Sequence, residues 1–77
     1  LLAGPPSPAA TPGAPAARVT DCDRQAAHPE DPGRVAPGVE RGAIDLPRAT
    51  AACERAVASD PADARARYQL ARLRFYA

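Results

Sequence analysis

The side chains of this 77-residue chain with chemistry to offer are two cysteines, one histidine and ten arginines. Cys22 and Cys53 are the only cysteines, and their simplest use is with each other. A disulfide between them closes a loop of about 32 residues, which the chain-entropy model values at roughly 3–4 kcal/mol. For a chain this short, which buries only a modest share of its surface, a staple of that size decides whether an N-terminal segment stays docked. The alternative is a pair of free thiols in a reducing compartment, since cysteine also packs well as a small apolar residue. A zinc site built from Cys22, His28 and Cys53 lacks a fourth ligand and matches no zinc spacing. A Cys–His nucleophilic pair has no orienting residue and no oxyanion donor that the sequence can name. His28, beside Pro29, reads as a solvated residue at a helix end. No catalytic residue, cofactor or metal is implied, and the chain is not expected to be an enzyme.

The arginines point nowhere specific as a group. The formal net charge is +1 and lysine is absent, an all-arginine usage that, with abundant Ala, Pro and Gly, suits GC-rich bacterial coding. Arg65, Arg67, Arg72 and Arg74 fall on opposite edges of one C-terminal helix, as solvated flanks with snorkelling stems would. That split argues against a nucleic-acid surface, and no glycine-rich phosphate loop is present. Hydrophobic residues make up 45% of the chain, but most are alanine. The three aromatics, Tyr68, Phe75 and Tyr76, all lie in the last ten residues, so a core must form near the C-terminus.

Three regions position these residues. Residues 1–19 form a Pro/Ala-rich extended arm, with five prolines and no charge before Arg18. Each proline fixes φ and removes a backbone donor, so neither helix nor central strand propagates there. Such an arm loses little entropy on docking and is expected to lie on another surface. Leu1-Leu2-Ala3 also suits the tail of a signal-peptide apolar region. Residues 20–44 are a short helix and an irregular loop. Thr20 and Asp23 have the spacing of a capping box, and a helix of about two turns would run to Ala27 before His28-Pro29 stops it. Asp31-Pro32-Gly33 is a turn signal. A loop this long needs something to hold it, for which Val35, Val39, Ile44 and Leu46 are the apolar residues available.

Residues 45–77 read as a helical hairpin, giving an all-α fold. Asp45 caps the first helix, with Pro47 tolerated in its first turn. Leu46, Ala49, Ala52, Cys53, Ala56 and Val57 share one face. Asp60-Pro61 ends it and Asp63 starts the second helix, about Ala64 to Ala77. That helix carries two apolar stripes, Ala64/Tyr68/Ala71/Phe75 and Ala66/Leu70/Leu73/Ala77, of which the preceding helix can cover one.

The hairpin resembles the tetratricopeptide repeat family and its Sel1-like relatives. Ala49, Cys53, Ala56 and Pro61 fall at the spacing of the small, packing and turn residues in the second helix of such a repeat. Tyr68-Gln69-Leu70-Ala71 stands where the next repeat carries its aromatic-x-leucine-small signature. Arg67 and Arg74 depart from the family, which often has tryptophan and tyrosine there. The Asp21-Cys22-Asp23-Arg24 and Ala51-Ala52-Cys53-Glu54 segments also resemble the leader before such repeats in secreted bacterial proteins. The resemblance implies stacked helices and a scaffold or interaction role.

Together these readings lead to a non-catalytic, secreted or periplasmic interaction protein. It would be an accessory subunit docked on a larger assembly, such as a membrane-embedded respiratory or photosynthetic complex, with a membrane close by through that partner. The expected interface is Tyr68, Leu70, Leu73, Phe75 and Tyr76. No nucleic acid or small-molecule substrate is implied. The alternative is the front of a longer tetratricopeptide or Sel1 scaffold whose other domains carry the function, an enzyme among the options.

Overall fold

The structure, a computed structural model, describes residues 18–77; the expected arm lies almost wholly outside the described residues. Helix α1 spans Asp21–Ala26, a single 3₁₀ turn spans Arg41–Ala43, and helices α2 and α3 span Leu46–Ser59 and Ala64–Tyr76. Among the described residues there is no strand.

Local chemistry sets each helix end. At α1, the Asp23 N–H donates to Thr20 Oγ1 at 3.1 Å and the Thr20 N–H donates back to Asp23 Oδ2 at 2.8 Å. Two of the N–H groups a helix start leaves orphaned are thereby satisfied. Ala27 turns extended at the other end, and Pro29 disfavours the helical region for His28, so the helix does not resume. Asp45 and Asp63 cap α2 and α3 through their carboxylates, accepting from the N–H groups of Arg48 and Ala66. Between them Asp60 makes the turn, its Oδ1 accepting from the Ala62 N–H at 3.2 Å, while Pro61 denies the helix a further donor.

The core sits where the three helices meet. Cys22 and Ala26 from α1, Ala49 and Cys53 from α2, and Ala66, Leu70 and Leu73 from α3 form its centre. Ala49 and Ala52 are small enough to let α2 approach its neighbours closely, and both are buried. Leu73 has no exposed surface, and a fully buried leucine contributes about 2 kcal/mol. Ile44, Leu46, Ala56 and Val57 pack around the edge.

Six residues are too few for a helix to persist by itself, so α1 depends on what holds it. Cys22 and Cys53 form a disulfide that ties α1 to α2, and both cysteines are fully buried.

The loop after α1 is held at named points. Asp31 Oδ1 accepts from the Gly33 N–H at 2.8 Å and the Asp31 carbonyl accepts from the Arg34 N–H at 3.2 Å. Further on, the Val39 N–H donates to the Ala27 carbonyl at 2.7 Å. Gly38 makes that approach feasible: a Cβ there would overlap Pro29 Cα and lie 2.9 Å from Pro29 Cβ and N.

Candidate functional site

The residues that organise this molecule are polar and lie on one side of α3. Arg65, Gln69, Arg72 and Tyr76 follow one another at spacings of four, three and four, so they form a single helical stripe. This stripe grips α1 and the loop. Arg65 Nε donates to Asp23 Oδ1 at 2.7 Å and Arg65 Nη2 to Asp23 Oδ2 at 3.0 Å, a two-point pairing of guanidinium with carboxylate. Arg65 Nη2 also donates to the Arg18 carbonyl at 3.0 Å. Gln69 Nε2 donates to Asp23 Oδ1 at 3.1 Å and lies 3.2 Å from Cys22 Sγ. One turn on, Arg72 Nη1 donates to the Ala26 carbonyl and Nη2 to the Val39 carbonyl, at 3.1 and 2.9 Å. Its Nε donates to Tyr76 Oη at 2.8 Å.

Asp23 is the hub. Its side chain is 1% exposed, and burial by itself pushes the carboxyl up. Hydrogen bonds from Arg65, the Thr20 backbone and Gln69, with the Arg65 charge, outweigh that and hold it below the ordinary carboxylate value. The Arg65 guanidinium is correspondingly raised by its hydrogen bond to Asp23, against the opposing effect of burial. Sequence reasoning treated Arg65 and Arg72 as solvated flanks, and the structure corrects this. Arg65 is half-buried and Arg72 is 8% exposed, each holding a preceding segment in place. The signal available in the sequence was the 65/69/72/76 spacing of long hydrogen-bonding side chains opposite a capping aspartate.

The expected interface of Tyr68, Leu70, Leu73, Phe75 and Tyr76 divides in two. Leu70 and Leu73 belong to the core and present nothing to a partner. The reason is geometric: α1 lies across α3 together with α2, so the Ala66/Leu70/Leu73 stripe is covered within the chain. Tyr76 is half-buried, with the Arg41 guanidinium 4.3 Å from its ring centre. Tyr68 and Phe75 do reach solvent, at 49% and 81% exposure. Ala64 and Ala71, on the same stripe, are exposed as well. The open face of α3 is therefore Ala64/Tyr68/Ala71/Phe75, directly opposite the core.

Along its edges run Arg67 and Arg74 on one side and the loop around His28 and Asp31 on the other. Arg74 Nη2 lies 3.7 Å from Glu54 Oε2 in an exposed pair. The His28 and Tyr68 ring centres are 6.5 Å apart, and His28 Nδ1 accepts from the Glu30 N–H at 3.0 Å. Cys22 and Cys53, being bonded to each other, offer neither a thiolate nucleophile nor a zinc ligand. Among the described residues no group of three or more His, Cys, Asp and Glu is placed to hold a metal. A groove of about 410 Å³ runs past Arg18, Asp21, Arg55, Asp60, Asp63 and Arg65, where acids and bases alternate and offset one another.

Comparison with protein-family models, with curated proteins and with solved structures finds no match to this chain. Among the described residues no helix is long and apolar enough to cross a membrane.

Proposed function

We propose that this chain is a non-catalytic protein–protein interaction module of a secreted or periplasmic kind, an accessory subunit docked on a larger assembly. The observation that carries the reading is the open stripe of α3. A phenylalanine 81% exposed, in register with an exposed tyrosine and two exposed alanines, is an apolar strip in which small and aromatic residues alternate, suited to a second helix. The buried disulfide supports a site of action outside the reducing cytoplasm, because such bonds persist in oxidising compartments. Whether the assembly is membrane-embedded, as a respiratory or photosynthetic complex would be, is part of the same proposal.

A photoreactive residue placed at position 75 in the native host tests it, with one at Ser59, on the exposed end of α2, as control. Crosslinks from position 75 to one assembly, absent from position 59, are expected. A chain that remains monomeric and uncrosslinked from both positions would sink the reading.

A second reading follows from the same stripe and from the tetratricopeptide resemblance: α3 is the first helix of a following repeat, and the next helix of the same polypeptide packs on Tyr68 and Phe75. An intact mass of the native protein well above 8.0 kDa, with crosslinks from position 75 to a later segment of the same polypeptide, would favour this second reading.

A further inference from the structure

One edge of the open stripe of α3 carries positive charge, which restricts what can lie on it. Helix α3 holds four arginines and no aspartate or glutamate. Only Arg65 is matched by a buried carboxylate. Arg72 is turned inward, giving its hydrogen bonds to two carbonyls and a tyrosine hydroxyl, and does not border the stripe. Among the described residues Arg67 takes part in no ion pair. The contact of Arg74 with Glu54 is long and solvent-exposed, so it constrains that guanidinium little. Arg41, lying on the Tyr76 ring, adds a further charge at the Phe75 end. An acid, Asp31, lies beside Ala64 and Tyr68 at the other end of the stripe.

Apolar contact alone would let a second copy of α3 occupy the stripe. In an antiparallel pairing the Arg67/Arg74 edges of the two copies face each other with no acid on either helix, and juxtaposed like charges oppose association. A partner whose apolar face is flanked by carboxylates reverses the sign of the same interaction. It also finds guanidinium groups with free donors for two-point pairing. We propose, building on the interaction reading above, that the Ala64/Tyr68/Ala71/Phe75 stripe docks an amphipathic helix of another protein whose apolar face is bordered by Asp or Glu residues, with those acids meeting Arg67 and Arg74 along one edge of the stripe.

Two synthetic helical peptides test the chemistry on the oxidised full chain. They share one leucine/alanine stripe and differ only in its borders, glutamate in one and lysine in the other. The glutamate peptide is expected to bind about tenfold or more tighter, the scale of one or two charge contacts, to weaken as salt is added, and to shift the amide signals of Tyr68, Ala71 and Phe75. The double variant Arg67→Glu/Arg74→Glu should keep its fold and prefer the lysine peptide. Equal affinity for both peptides, shifts confined to another face, preferential self-association through Phe75, or adsorption to anionic vesicles instead would each overturn the proposal. In the native host, a photoreactive group at position 71 reads the partner directly. A crosslinked segment carrying acids beside an apolar stripe supports the inference. A crosslinked segment without acids overturns it, while leaving the interaction reading intact.

Discussion

Asp23 shows how one side chain can serve two scales of structure at once. Its Oδ2 closes the capping box of α1, and both oxygens receive Arg65 from α3 across 42 positions of sequence. Replacing it with Asn keeps a similar shape but removes the charge, leaving Arg65 partly buried without its counter-ion. Breaking such a pair from one side costs about 3 kcal/mol, which urea denaturation at neutral pH would measure. The pH dependence follows in sign. The folded-state carboxyl lies below its unfolded value, so its stabilisation is fully present above the unfolded value and is lost as pH falls through the folded one. The wild-type chain should therefore lose stability toward strongly acid pH, and the Asp23→Asn variant should show a flatter profile over that range. A matching slope in the two proteins would show that other carboxylates carry the acid sensitivity.

At the scale of elements, α1 and the loop behind it hold their places through few attachments. The disulfide is one: reducing it, or replacing both Cys22 and Cys53 with serine, should destabilise the chain by about 3–4 kcal/mol. The first protection against amide exchange to vanish should be that of α1, because six residues cannot remain helical once undocked. The Asp23 pairing and the Arg72 hydrogen bonds are the others. Arg72 joins the end of α1 at Ala26 to the loop at Val39, and Gly38 lets that loop pass close to Pro29. Gly38→Ala forces the loop away from Pro29 backbone atoms that cannot yield cheaply. A loss of about 1–3 kcal/mol in thermal unfolding is expected, the range for overpacked sites. Gly42→Ala, where an added Cβ meets nothing within 4 Å, should cost far less and serves as the control.

For the molecule as a whole, the balance lies between what α3 buries and what it leaves open. One side holds Leu70, Leu73 and the polar grip on α1; the opposite side leaves Tyr68 and Phe75 in water. Phe75→Ser should therefore change the stability of the isolated chain by no more than about 0.5 kcal/mol, while abolishing the crosslinks expected from this face. A large loss of stability in the isolated chain would mean that Phe75 is packed within it. Leu73→Ala should behave in the opposite way, costing about 2–5 kcal/mol by cavity formation wherever the chain is bound.

Much of this architecture is written locally. Thr20/Asp23, Asp45, Asp60-Pro61 and Asp63 mark helix ends through hydrogen bonds that span no more than four residues, so the sequence alone places α1, α2 and α3 and makes the fold helical. The cysteine pair was legible for a different reason: two cysteines allow only one bond between them. What the sequence did not settle is which way α3 faces. Both of its apolar stripes have helical spacing, and a period cannot tell an inner face from an outer one. The choice was made by α1. Its Asp23 carboxylate needs a buried counter-charge, and Arg65, with Gln69 and Arg72 on the same stripe, supplies the bonds only if α3 turns Leu70 and Leu73 inward. That rotation is a long-range electrostatic decision between residues more than 40 positions apart, and it leaves Tyr68 and Phe75 facing outward.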